Sequence, residues 1–294
     1  MALRLSFLGL EVESHRRATA PEPDCPKRVG RCRMIGPRWT WASARATGTS
    51  HLKAGKGCDD SAACLESAQG KRSILVSVVS DGAGSASYSS IGSRIASQAF
   101  ARCALRFLRE GGTPSSMSPQ MASEWLDDVR DRIAAAAHRR SAAPRDFAAT
   151  LVGSIVGPES AAFFHVGDGS AVYRLEKATD WLVASWPEQG EYAATTYFVT
   201  DDPAPHLRLS IVEGHIAELA LFSDGIERLV LDFSNQTAFA PFFDRMFLPL
   251  SSESTGRNRK LSRHLKRYLD SPSVCDKTDD DKTLVLAKRV LVAE

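Results

Sequence analysis

Five acidic sites in this sequence sit where an apolar run stops or is about to start. Asp81 follows ILVSVV (74–79) in VVSDGAGSA, Asp168 follows AAFFHV (161–166) in HVGDGSAVYR, and Asp224 follows ELALFS (218–223) in LFSDGIER. Asp59 and Asp60 close a glycine-rich loop, KAGKGCDDS, and Asp280 and Asp281 precede TLVLAK (283–288) in TDDDKTLVL. Strand ends place side chains on the rim of a sheet, so carboxylates from several strands can meet there. Brought within a few ångströms, they repel one another strongly. Hard divalent cations remove that repulsion, and a ligand set of oxygens without His or Cys selects Mg²⁺ or Mn²⁺ over zinc. Glycine follows Asp81, Asp168 and Asp224, which lets the backbone turn sharply and approach a ligand or ion closely. Asp-Gly is also a common turn dipeptide, and any one of these sites alone reads as a turn. Three such turns ending apolar strands, with two Asp pairs beside them, point to a dinuclear oxygen-ligand metal site.

The elements that must hold these residues are legible from periodicity. Six short apolar or alternating runs read as strands: 74–79, 150–156, 161–166, 171–175, 218–223 and 283–288. A helix is predicted over about 90–109, with Ile91, Ile95, Ala99, Cys103 and Phe107 as its stripe. A second starts near Ser118, a suitable N-cap, and carries Met121, Trp125, Val129 and Ile133. A third, about 256–269, has Leu261, Leu265 and Leu269 on one side and Arg257, Arg259, Lys260, Arg263, Lys266 and Arg267 on the other. That basic side reads as a solvated face, with docking of an acidic phosphoprotein as the alternative. Strands and helices do not alternate strictly, so the fold class is α+β with antiparallel sheets rather than a doubly wound parallel sheet. Residues 14–38 are rich in Arg, Pro and Cys without periodicity. We therefore assign 1–38 to a disordered arm or an over-long start, and 39–294 to one folded domain.

Composition narrows the function classes. Lys and Arg (37) nearly balance Asp and Glu (35), so bulk charge provides no reason to invoke nucleic acid or an anionic membrane. There is no long uncharged apolar run, hence no membrane-spanning helix. Six scattered cysteines without a C-x-x-C pair, and a poor secretory start, suggest a cytoplasmic setting.

Taken together and in order, these motifs resemble those of the metal-dependent protein phosphatase 2C family, and most closely its short stand-alone bacterial domains. GTSHLKAGKGCDDS resembles the first metal motif, and VVSDGAGSASYSSIGSRIAS the DG motif with its following helix. FAATLVGSIV resembles the central strand, HVGDGSAVYRL the GDS/GDG motif, ALFSDGIERL the late SDG motif and DDKTLVL the closing D-[DN]-x-T motif. GEYAATTYFVTDD also resembles the bacterial group. The resemblance covers about 40–290 and implies a four-layer α-β-β-α sandwich of two antiparallel sheets flanked by helices. It implies hydrolysis of phosphoserine and phosphothreonine by a water bridging two Mg²⁺ or Mn²⁺ ions, with a third, weaker ion in some members.

Roles follow residue by residue. Asp81 corresponds to the aspartate that bridges both metals, and Gly82 to the residue whose carbonyl joins them. Asp59 and Asp60 correspond to the acidic pair, Asp224 and Asp280 to the late ligands, and Asp168 to an acidic residue linked to the third ion. Asp279 is the off-register alternative to Asp280. Members of the family carry a phosphate-gripping arginine shortly before the acidic pair; here Gly55 stands four residues before Asp59. His51 could donate a proton or touch phosphate, or simply fix its loop. Lys53 and Lys56 could attract phosphate without the bidentate grip of arginine. Cys58 lacks the C-x₅-R loop of a cysteine phosphatase and reads as a packing residue. The missing arginine keeps one alternative open, a non-hydrolysing phosphoprotein-binding module on the same fold. The implied partner is a phosphorylated protein substrate, the chain opposing a Ser/Thr kinase, with no nucleic acid or membrane, and the chain is expected to be a monomer. The segment at about 187–215 could form a substrate-facing flap.

Overall fold

Tryptophans on one edge of the chain's first strand show how the layers form. Trp39 and Trp41 point to one side of it and Ala42, Ala44 and Ala46 pack on the other. The computed structural model describes residues 34–69, 72–187, 196–203, 205–250 and 255–293. In chain order the strands are β1 (Met34–Ala46), β2 (Ser61–Gln69), β3 (Arg72–Ser80), β4 (Leu151–Val156), β5 (Ser160–Val166), β6 (Ser170–Leu175), β7 (Leu182–Ser185), β8 (Arg208–Glu213), β9 (Ile216–Phe222), the two-residue β10 (Leu231–Asp232), β11 (Thr237–Ala238) and β12 (Gly256–Arg257), and β13 (Lys282–Ala293). The helices are α1 (Thr49–Lys53), α2 (Ser89–Arg109), α3 (Pro119–His138), α4 (Glu227–Val230), α5 (Ala240–Phe247), α6 (Arg259–Leu269) and α7 (Pro272–Cys275).

One sheet has the order β12-β1-β13-β9-β6-β7 and the other β2-β3-β4-β5-β8. Neighbours in both are antiparallel, except that β12 runs parallel to β1. Period-two alternation assigns each strand's side chains to two layers. On β3, Ile74, Val76 and Val78 face the helices, while Leu75 and Val79 face the opposite sheet. On β13, Leu284 and Leu286 face helices, while Val285 and Ala287 face inward. The inter-sheet layer joins Trp39, Val152, Phe163, Tyr173 and Leu221. Helices α2 and α3 cover one outer face, α5 and α6 the other. This is the expected α-β-β-α sandwich, and both faces of the central strands are buried, which is why their sequences read as nearly continuous apolar runs.

The predicted helices are present. Ser118 caps α3, its hydroxyl accepting from the Met121 N–H at 3.2 Å. The buried face of α2 is broader than the expected stripe, of which Ala99, Cys103 and Phe107 are buried. Ile91 and Ile95 sit at its margin, and small residues such as Gly92, Ala96 and Ala104 are buried with Phe100 and Phe107. The cause is close approach. A Cβ on Gly92 would lie 2.0 Å from the Phe147 carbonyl oxygen. Strand β1 reaches back to Met34, so residues 34–38, assigned above to the arm, pair with β13. Residues 1–33 lie outside the described residues. Within the expected flap, 208–213 form β8, the edge strand on β5, a place taken by backbone pairing rather than by a strong apolar run. Residues 188–195 and 204 of that segment lie outside the described residues. No helix among the described residues is long and apolar enough to cross a membrane.

Candidate metal and phosphate site

The two sheets bring their acidic strand ends to one end of the sandwich. Asp81 leaves β3 and exchanges backbone and side-chain bonds with the start of β4. Its N–H donates to Thr150 Oγ1 at 3.0 Å, and its carbonyl accepts from the Thr150 N–H at 2.8 Å. Asp60 precedes β2, the neighbour of β3, and is only 1% exposed. Its Oδ2 accepts from Ser223 Oγ at 2.8 Å and Thr283 Oγ1 at 2.6 Å, groups that belong to the opposite sheet's ends. Ser223 Oγ also accepts from the Thr283 N–H at 3.0 Å. Asp60 is thereby fixed across the gap between the sheets.

The electrostatics show how close the group is. Burial, then the charges of Asp60 and Asp224, raise the Asp81 carboxyl well above the ordinary carboxylate range. Burial raises Asp60 to about 6. Burial, then Asp168 and Asp280, hold Asp224 well above its ordinary value. Burial and the charge of Asp280 also push Asp168 upward. Asp280 itself is raised by burial, against the lowering hydrogen bond from the Asp281 N–H and the charge of His51. Asp60, Asp81, Asp168, Asp224 and Asp280 thus form one acidic group with no lysine or arginine prominent among the charges that set it.

The acidic pairs divide their labour. Asp59 is tied to the start of α2. Its carboxylate accepts from Ser89 Oγ at the start of α2 at 2.7 Å, and its carbonyl accepts from Ser93 Oγ. Asp281 is a clamp, 1% exposed. Its Oδ1 accepts from the Gly48 N–H at 2.6 Å, and its Oδ2 meets the Asp59 N–H and His51 Nδ1, the latter at 3.1 Å. Asp279 is exposed, and its carbonyl anchors α1 by accepting from the Ser50 N–H and Oγ at 3.0 and 2.7 Å. Of the three consecutive aspartates, Asp280 is the one whose charge acts on both Asp168 and Asp224.

The glycines after Asp81 and Asp224 are required by neighbouring backbone rather than by an open ligand space. A Cβ on Gly82 would lie 2.7 Å from the Ser89 carbonyl and 2.8 Å from that of Asp59. One on Gly225 would lie 1.8 Å from the Asp281 carbonyl. The motifs are packed motif against motif.

Three carboxylate oxygens, Asp60 Oδ1, Asp168 Oδ1 and Asp224 Oδ1, are buried without a hydrogen-bond partner. Buried orphan oxygens cost free energy unless something satisfies them. Together with the raised pKa values, they suit hard divalent cations. Among the described residues no three His, Cys, Asp or Glu side chains are grouped closely enough to hold a metal ion as they stand. His51 is half-buried and held by Asp281, whereas Lys53 and Lys56 are exposed on and after α1, with no described contact bringing them to the aspartates. Cys58 is pushed up to about 12, mainly by burial, which fits a packing thiol.

Sequence reasoning missed Glu227. It lies on the turn after Asp224, and burial with the Asp168 charge raises it to about 7. The missed signals were the Ser of SDG, the Thr of DDKT, and a Glu one helical turn beyond Asp224.

The comparisons agree with this geometry. The family model described as protein phosphatase 2C matches residues 47–270. Serine/threonine-protein phosphatase 3 of Escherichia coli (strain K12) is 34% identical over 252 residues, covering 85% of this chain and 98% of that protein. Among solved structures, the serine/threonine phosphatase Stp1 from Staphylococcus aureus superposes with a TM-score of 0.59 at 17% identity, over 88% of this chain and 98% of that one. The catalytic domain of the serine threonine protein phosphatase PstP, in complex with 2 manganese ions, gives 0.55 at 15% identity, over 86% and 99%.

Proposed function

The chain belongs to the protein phosphatase 2C family, and from that premise we propose that its aspartate group hydrolyses phosphoserine and phosphothreonine esters in proteins with two divalent cations. It is a protein serine/threonine phosphatase that uses divalent metal and acts on phosphoproteins. The observation that carries the site assignment is the buried acidic group with three orphan oxygens on the motif residues. Nothing in the fold favours the non-hydrolysing alternative.

In this reading Asp60, Asp81, Asp224 and Asp280 hold the two ions, with the Gly82 carbonyl beside them, and Asp168 serves a third. Bound divalent cations supply an acidified water and neutralise phosphoryl charge. The protein's part is orientation. Ser223 and Thr283 fix one Asp60 oxygen and leave the other directed at the cluster. Asp281 takes His51 Nδ1, so Nε2 is the nitrogen left to meet the leaving oxygen. Asp59 ties the first motif to α2. Lys53 and Lys56 contribute long-range attraction for phosphate. Manganese is favoured for assay because a manganese-bound relative shares the fold. An opposing Ser/Thr kinase, a monomeric chain and a cytoplasmic setting complete the proposal, the last consistent with free Cys58, Cys64, Cys103 and Cys275.

The test is hydrolysis of p-nitrophenyl phosphate and a phosphothreonine peptide with Mn²⁺, Mg²⁺ and EDTA, beside Asp81→Asn. Metal-dependent turnover that falls about 10³-fold in the folded variant is expected, on the scale of removing one principal electrostatic group. Wild-type turnover by Asp81→Asn would overturn the assignment.

A further inference from the structure

A second charged feature lies outside the aspartate group. Edge strands β12 and β2 of the two sheets border an open cleft of about 1070 Å³. Arg45 at the end of β1, Arg257 on β12, and Arg259, Arg263 and Lys266 on α6 line it, and no Asp or Glu does among the described residues. Lys266 pairs with Asp270 on its own helix at 2.7 Å. Arg257, Arg259 and Arg263 have no carboxylate partner among the described residues. The helix cannot turn these cations inward, because Leu265 and Leu269 are buried in the core on its other side.

The cleft abuts the phosphate site. Cys58, which immediately precedes Asp59 and Asp60, lines it. The Arg45 guanidinium, also on its wall, donates to the Asp60 carbonyl. We propose that this cleft binds an acidic stretch of the phosphoprotein substrate that flanks the phosphorylated residue. The proposal rests on the phosphatase reading for the identity of its ligand.

Size and chemistry select that occupant. The cleft, at about 1070 Å³, stands at the upper end of the roughly 300–1,000 Å³ of small-molecule pockets, and it is open to solvent rather than enclosed. Three arginines without a carboxylate partner among the described residues offer planar donor forks for carboxylates or a further phosphate. No aromatic side chain lines it, so it lacks the stacking platform of a single-stranded nucleic-acid site. An extended acidic peptide satisfies both the volume and the charge.

The test uses the full chain and the double variant Arg259→Glu/Arg263→Glu, with Arg259→Gln/Arg263→Gln as the milder form. The substrates are two phosphothreonine peptides, one flanked by Glu and Asp, the other by Ser and Gly. The wild type should prefer the acidic peptide by KM. Charge reversal should raise that KM about tenfold and the neutral peptide's far less, since each exposed charge contact is worth up to about fivefold. Turnover of p-nitrophenyl phosphate reports the metal site separately. Binding of an unphosphorylated Glu-rich peptide, read by fluorescence anisotropy without metal, should weaken to the same degree and with added salt. If turnover is absent but this binding behaves as stated, the phosphatase reading fails and the cleft assignment stands. Equal KM values for the two peptides in the wild type, or an unchanged ratio in the Glu variant, overturn the cleft. So does displacement of the acidic peptide by oligo-dT at lower concentration than by itself.

Discussion

Strand β9 carries a buried carboxylate near its start and is followed by a half-buried one just past its end, and the two are treated in opposite ways. Glu218, 3% exposed, lies near its start. Its Oε2 accepts from Arg174 Nε at 2.7 Å and its Oε1 from Lys288 Nζ at 2.8 Å. Arg174 continues to Asp244 at 2.8 Å and lies 4.5 Å over the Trp181 ring. Asp224, just past the other end, meets Asp81, Asp168 and Asp280 instead, and one of its oxygens has no partner. The chain supplies arginine and lysine where a carboxylate is structural. It withholds them where the carboxylates are to receive something from outside. The same burial that would be a defect in a structural ion pair is, at the acidic end, stored affinity for a divalent cation.

That contrast can be broken most forcefully at Asp224. Asp224→Asn should lower kcat/KM about 10²–10³-fold with Mn²⁺ present, while raising the melting temperature of the metal-free protein, because it removes one of several repelling charges. A fall in metal-free stability would break the comparison. Glu218→Gln should do the reverse. It removes the charge that Arg174 and Lys288, both half-buried, share, while Arg174 keeps Asp244, and it should cost about 1.5–3 kcal/mol of stability by urea unfolding, with the metal-titration midpoint unmoved.

Acidity sharpens the same point. Asp60 is raised to about 6 when folded. The folded state therefore holds a proton that the unfolded chain releases near pH 4, so this contribution to stability is present below that pH and lost as pH rises to about 6. Metal-free protein should lose at most about 3 kcal/mol from this group across that window. Saturating Mn²⁺ should flatten or invert the trend, with protons released on binding, measurable by calorimetry in two buffers. Thr283→Val is the gentlest probe. It removes one of two hydrogen bonds to Asp60 Oδ2 and should cost about 1 kcal/mol in stability, with a several-fold weaker metal midpoint.

Much of this was legible before any coordinates. Apolar runs marked β3, β4, β5, β6, β9 and β13 because strands buried on both faces leave a strong local signal. β2 and β8 escaped notice because SAACLESAQ and RLSIVE mix small, polar and charged residues, and their places come from pairing with β3 and β5. All of β1 escaped: Gly36, Pro37 and Arg38 read as irregular chain and WTWASARA is no continuous apolar run, whereas pairing with β13 overrides that local preference. The buried face of α2 is broader than its apolar stripe because small residues join it, Gly92 among them where the Phe147 backbone comes close.

By itself, the sequence determined the order of the motifs, the aspartates within them and the antiparallel α+β class, since these depend on residue type and short-range period. Which aspartate faces the cluster, which clamps the loop and which is solvent-exposed was decided only in three dimensions. Asp59, Asp60, Asp279, Asp280 and Asp281 look alike in the chain. They are told apart by partners up to 223 residues away, such as Thr283 for Asp60, and 233 residues away, such as Gly48 for Asp281. Burial and hydrogen bonding are properties of such distant contacts, and they set a carboxyl's charge and orientation more strongly than its neighbours in sequence do.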